Sequence, residues 1–148
     1  MAVTPFLMFE GRAQEAIDLY TAVIPRSSVE SVAHFPAEQI AQTAEIANEA
    51  NPAVEAAGPL IMMAVVSLDG QRVRVNDSPI HHQFTFTPAS SLYFETEDPA
   101  EYEAVLAALG EGGGFLMEDR DDYGFAQRYA WLADRFGVSW QLALASAV

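Results

Sequence analysis

Apolar residues recur at every second position in some stretches of the chain and at helical spacing in others. In GRAQEAIDLYTAVI, Ala13, Ala16, Ile17, Tyr20 and Ile24 fall on one side of a helix. Pro25 then stops that helix. VTPFLMF before it and SVESVAHF after it read as strands. LIMMAVVSLDGQRVRVND reads as two strands around an Asp69–Gly70 turn. The first half is therefore predicted to run β-α-β-β-β.

The second half repeats that order. SSLYFET is a strand. DPAEYEAVLAAL is a helix with Asp98 as N-cap and Pro99 at its first position. GEGGG ends it, FLMED is a short strand, and WLADRFGVSWQLAL supplies a hairpin around Asp–Arg–Phe–Gly. GQRVRV from Gly70 aligns with GVSWQL from Gly137, which makes Arg74 and Gln141 equivalent. The reading is one domain over residues 1–148, with module one at 1–79 and module two at 88–148. An Ala/Glu-rich insertion at about 36–58 interrupts module one, read as a helix to Ala50 and then a Pro-punctuated loop.

Strand alternation assigns faces. Val138, Trp140, Leu142 and Leu144 should pack under a helix, as should Val73 and Val75. The opposite faces carry Ser139, Gln141 and Ala143, and Arg72, Arg74 and Asn76. The same test puts Leu92 and Phe94 inside, with Ser91, Tyr93 and Glu95 opposite. It puts Phe6 and Met8 under a helix, and Pro5, Leu7 and Phe9 on the other face. The outer set is either a solvated sheet face or the wall of a small-molecule site. A buried Arg74 would need Glu95 or an anionic ligand, and a rim Arg74 would pair with surface acids.

Composition narrows the classes. The chain has 21 acids against 7 bases, a net charge of −14. A field of that sign repels phosphate backbones and anionic lipid, so neither nucleic acid nor membrane is an expected partner. Half the residues are apolar, enough to fill a core. There is no Cys, which removes disulfides, thiolate metal sites and Cys nucleophiles. No signal peptide or membrane span is visible, and a cytoplasmic location is the expectation. His81 and His82 point apart if extended, and with His34 they are the only imidazoles. MEDRDDYG lacks the spacing of a calcium loop and reads as a solvated turn.

Taken together, PFLMFEGRAQEAIDLYTAVIP, SLDGQ, FTFTPASSLYF and WLADRFGVSWQL resemble the PhnB-like branch of the vicinal oxygen chelate superfamily. That superfamily includes glyoxalase I, extradiol dioxygenases and the bleomycin and fosfomycin resistance proteins. The resemblance implies an α+β fold of two paired βαβββ modules, with curved mixed sheets around a concave cavity and helices outside. It also implies a homodimer. Its metal enzymes hold a divalent ion at positions that fall here near Pro5, Arg74, Ser91 and Gln141. Of these only Gln141 could be a ligand. Branch members carry a demethylubiquinone methyltransferase label, yet GEGGG follows a helix rather than a strand, unlike the usual methyl-donor loop.

The reading is a metal-poor protein without cofactor that binds, or binds and transforms, a small organic ligand. The expected lining is Leu7, Phe9, Arg74, Ser91, Tyr93 and Gln141, with Trp131 near the wall. Phe9 and Tyr93 would stack on the ligand, Arg74 would pair an anionic group, and Ser91 and Gln141 would orient it. One alternative is a metal-dependent lyase, isomerase or dioxygenase-like enzyme using Gln141, Glu95 and a histidine. Another is a dimeric interaction module without a ligand.

Overall fold

The computed structural model describes residues 1–40, 42 and 58–146. Most of the insertion read at 36–58 lies outside the described residues. Two compact units emerge, Met1–Gln83 and Phe84–Val148.

Unit 1 runs β1 (Phe6–Phe9), α1 (Ala13–Val23), β2 (Ser28–His34), β3 (Ile61–Leu68) and β4 (Gln71–Asp77). Its sheet has the order β1-β4-β3-β2, with β1 parallel to β4 and the other pairs antiparallel. Unit 2 runs β5 (Leu92–Thr96), α2 (Pro99–Gly110), β6 (Gly114–Arg120), β7 (Arg128–Ala133) and β8 (Ser139–Leu144). Its order is β5-β8-β7-β6, again with one parallel pair, β5 with β8. Each unit is thus an open mixed sheet with a helix between its first and second strands, the α+β arrangement of two βαβββ modules. Among the described residues no helix is long and apolar enough to cross a membrane.

Local chemistry explains the corners. Asp69 and Gly70 both have positive φ, 50° and 89°, which the two-residue turn between β3 and β4 requires. Asp98 accepts the Ala100 N–H at 2.8 Å and caps α2, with Pro99 at the first turn. Arg12 precedes α1 without a side-chain cap. Asp77 at the end of β4 does that work instead. Its carboxylate accepts Gly11 N–H at 2.8 Å, Ala13 N–H at 3.0 Å and Ile61 N–H at 3.0 Å.

Each helix covers one face of its own sheet. Ala13, Ala16, Ile17 and Tyr20 of α1 are buried, as are Ala64, Val66, Val73 and Val75 on β3 and β4, the strands it packs on. In unit 2, Tyr102, Val105 and Leu109 of α2 are buried, as are Phe94, Ala130, Leu132, Trp140 and Leu142 on the strands beneath it. Trp140 Nε1 donates to Asp134 Oδ2 at 3.0 Å, and Asp134 Oδ1 also accepts the N–H groups of Phe136 and Val138. One buried carboxylate therefore shapes the β7–β8 turn and fixes its tryptophan.

Tyr102 is wholly buried, and its hydroxyl donates to Asp119 Oδ1 at 2.8 Å. Arg128 holds the same carboxylate and lies 4.8 Å from the Tyr102 ring centre. Burial, and then the bond to Asp119, push the Tyr102 phenol well above the ordinary phenol value.

Two outcomes follow from this packing. Trp140→Ala should lower stability by about 3–5 kcal/mol, as for other large aromatic truncations in a core, measured by denaturant unfolding. The second concerns alkali. The folded-state pKa of Tyr102 is raised, so its contribution is complete below the ordinary phenol value of 10.0 and is lost as pH rises beyond it. Wild type should lose stability above that pH, and Tyr102→Phe should lose it less steeply. Equal slopes would show that this phenol does not govern the alkaline limb.

Candidate functional site

The face of each sheet turned away from its helix can be read from the register. In unit 2, Tyr93 pairs with Gln141, and Gln141 with Trp131. The three side chains form a row across β5, β8 and β7, because cross-strand partners share a face. Ser91 and Ser139 lie one step along, with their hydroxyl oxygens 2.6 Å apart. Trp131 Nε1 donates to Ser139 Oγ at 2.8 Å. Four of the expected lining residues, Ser91, Tyr93, Trp131 and Gln141, are therefore brought together.

Tyr129 joins this face. Its hydroxyl donates to Gln141 Oε1 at 2.7 Å, which leaves the two N–H groups of the amide directed elsewhere. Tyr129 is held edge-on by Phe125 at 4.8 Å and Tyr123 at 5.6 Å between ring centres. Tyr93 and Phe125 stay open to solvent, 53% and 61% exposed. Burial and then the charge of Glu95 raise the Tyr93 pKa. Burial, Tyr93 and Tyr123 raise that of Tyr129. Both phenols are therefore neutral hydrogen-bonding groups at physiological pH. The surface combines flat aromatic rings with amide and hydroxyl groups, a set that can stack on and orient a small molecule.

Unit 1 corrects one expectation. Phe6 pairs with Arg74 and Met8 with Asn76, whereas Leu7 pairs with Val75 and Phe9 with Asp77. Leu7 and Phe9 therefore share the helix-covered face, and Phe9 is buried. Phe6 and Met8 share the open face with Arg74. The alternation in PFLMF has the expected period but the opposite sign. The same register places Thr4, not Pro5, at the counterpart of Ser91.

The donor set does not fit a divalent ion. The paired positions on the open faces are Phe6 with Arg74 and Tyr93 with Gln141. A phenyl ring offers no lone pair for a metal, and a guanidinium repels a cation. Gln141 Oε1 already accepts from Tyr129. Among the described residues no three His, Asp or Glu side chains converge on one point. All three histidines belong to unit 1. His34 ends β2, His81 Nδ1 lies 3.3 Å from Glu10, and His82 Nε2 lies 2.7 Å from Ser78 Oγ. Gln141 and Glu95 belong to unit 2.

The glycines of GEGGG serve the turn from α2 to β6. Gly112 has φ of 75°, and a Cβ on Gly113 would collide with the Ala133 carbonyl oxygen. Sequence reading missed Tyr129 because its bond to Gln141 depends on the β7–β8 register. It missed Asp77 because NDSPIHH reads as a link. The aromatic spacing of Tyr123, Phe125 and Tyr129 was the one signal in the sequence that pointed to the cluster.

Comparison with known proteins agrees with this architecture. The family model described as 3-demethylubiquinone-9 3-methyltransferase matches residues 1–143. The solved PhnB protein from Bacillus cereus is similar at 34% identity and a TM-score of 0.81, over 98% of this chain and 100% of that one. A protein from Pseudomonas aeruginosa shares the fold at 22% identity and a TM-score of 0.71, over 97% of this chain and 96% of that one. The fosfomycin resistance protein FosX from Listeria monocytogenes shares it at 8% identity and a TM-score of 0.59, over 99% and 93%. Among curated proteins none matches. With the repeated βαβββ order and the match over most of its length, the chain belongs to the 3-demethylubiquinone-9 3-methyltransferase family, as a PhnB-like protein of the vicinal oxygen chelate superfamily.

Proposed function

We propose that this protein binds a small organic ligand on the open face of its second sheet, without a divalent ion. Tyr93 stacks on the ligand, Trp131 forms a side wall, Ser91 hydrogen-bonds to it, and Gln141 donates through its amide N–H groups. The observation that carries this reading is the Tyr93–Gln141–Trp131 row, with Gln141 Oε1 engaged by Tyr129. Neutral phenols, an amide and hydroxyls hold and orient a molecule; they do not supply an activated nucleophile. Binding is therefore the activity proposed. Methyl transfer, which the family description names, finds no support in GEGGG, whose glycines serve a turn.

The test is a thermal-shift screen of small aromatic carbonyl compounds with the full-length protein. A compound that binds only the folded state raises the melting temperature. Hits should persist in chelator and disappear in Gln141→Ala, whose own melting temperature should stay near wild type. One divalent ion per purified chain, lost on Gln141→Ala, would overturn the metal-free reading. A Gln141→Ala variant that cannot fold would make this face a core instead.

We also infer a homodimer. β2 is an edge strand exposed at every position, with Val29 and Val32 open to solvent, and edge strand β6 exposes Phe115 and Leu116. Unpaired edges with apolar side chains call for cover. Light scattering at micromolar concentration should give twice the chain mass, and a monomer would contradict this inference.

A further inference from the structure

We propose that the ligand of the second unit is an organic cation, an aromatic carbonyl compound bearing a quaternary or protonated amine, with its charge set beside Glu95 and the rings of Tyr93 and Phe125. This rests on the reading of that face as a binding surface, and it adds the charge of what the face takes. The second unit, Phe84–Val148, has eleven acids and three bases, all of them arginines. Arg120 is held by Asp122, Arg128 by Asp119 and Glu103, and Arg135 lies 3.9 Å from Glu111. None of the three is left for Glu95. That side chain is exposed and makes no ion pair or hydrogen bond among the described residues. Its position sets it apart from other solvated acids. Glu95 is two residues from Tyr93 on β5, so the two share a face at about 7 Å along the strand. The Tyr93 phenol feels the Glu95 charge, second only to its own burial.

A second observation is independent of the first. Tyr123 and Phe125 stack with ring centres 6.2 Å apart, and both pack edge-on against Tyr129. Tyr129 in turn feels the charge of Tyr93, which places that ring near the cluster. The cluster already holds one cation, because the Arg120 guanidinium lies 5.5 Å from the Tyr123 ring centre. Tyr93 and Phe125 keep ring surface open to solvent. The face of an aromatic ring carries negative potential, so open rings beside an unpaired carboxylate attract a cation and disfavour an anion. Rings lack lone pairs for a metal, so an alkylammonium suits them better than a divalent ion. Gln141 pairs with Tyr93, which makes Glu95 its diagonal neighbour, about 8 Å away. A ligand spanning the two carries an acceptor for the Gln141 N–H groups at one end, a cation at the other, and an aromatic body against Tyr93.

The test is isothermal titration of the full-length protein with 4-acetylphenyltrimethylammonium and 4-tert-butylacetophenone. The two share shape and carbonyl group, and only the first is charged. Wild type should bind one cation per chain, roughly tenfold more tightly than the neutral twin, the range of a cation–π contact aided by one carboxylate. That ratio should shrink as salt rises, since Glu95 is exposed. Glu95→Gln and Phe125→Leu should each cut the ratio severalfold. Both side chains are exposed, so both variants should melt near wild type. Gln141→Ala should lose both compounds. Equal affinity for the two compounds, or tighter binding of the neutral one, overturns this inference and leaves the binding face standing. A ratio that neither Glu95→Gln nor Phe125→Leu lowers also overturns it, as do cation binding that survives Gln141→Ala and several weak cation sites per chain. Binding of neither compound sinks it together with the binding face.

Discussion

The Asp77 carboxylate is the constraint on which the first unit turns. It ends β4, and it takes backbone N–H groups from the loop after β1, the first turn of α1 and the start of β3. Ser78 N–H adds a bond of 2.7 Å to the Phe9 carbonyl. A helix start carries unpaired N–H groups and a partial positive charge, so a carboxylate there satisfies both. Because that carboxylate is anchored on β4, α1 is pinned over one face of the sheet. The choice of that face settles what remains open: Phe6, Met8, Arg74 and Asn76 instead of Leu7 and Phe9. The second unit uses other means. Asp98 caps α2 locally, and Asp134 gathers the β7–β8 turn around Trp140.

Much of this was legible from residues alone. Element order followed from helical spacing, Asp98–Pro99, Asp69–Gly70 and the parallel between GQRVRV and GVSWQL. Faces were legible wherever a strand alternated apolar with polar residues, as in SWQLAL and QRVRV. β1 defeated the method for a physical reason. PFLMF has apolar residues on both sides, so its alternation has a period but no sign. Only its pairing with β4, which sets Phe6 beside Arg74, decides which side faces the helix. Asp77, Asp119 and Asp134 were hidden for a related reason. An acid in a chain with 21 of them reads as surface until its donors are known, and those donors lie on other elements or across a turn.

The two units share a backbone plan and diverge in side chains. Arg74 sits between Phe6 and Val65, while Gln141 sits between Tyr93 and Trp131. One row offers a cation flanked by a phenyl ring and a valine, the other an amide with aromatic flanks. The same scaffold occurs twice, and the side chains it presents differ in the three residues of each row. This is the sense in which fold and function are separable here: likeness to the Bacillus cereus PhnB protein and to FosX describes the scaffold, and these rows describe what it presents.

The parallel pairing of the first strand of each unit with its last has a consequence for synthesis on the ribosome. β1 has one neighbour in its sheet, β4, and Phe6 pairs with Arg74. When β1, α1 and β2 leave the exit tunnel, neither the partner of β1 nor the cap of α1 has yet emerged. The β3–β4 hairpin forms from local contacts, and β1 can then close along it in a single long-range step. The first sheet has all four of its strands once Asp77 has emerged, ahead of the strands of the second unit. The nascent chain therefore carries an unpaired apolar strand for most of the time its first unit is being made, and its exposure ends at one codon-defined point.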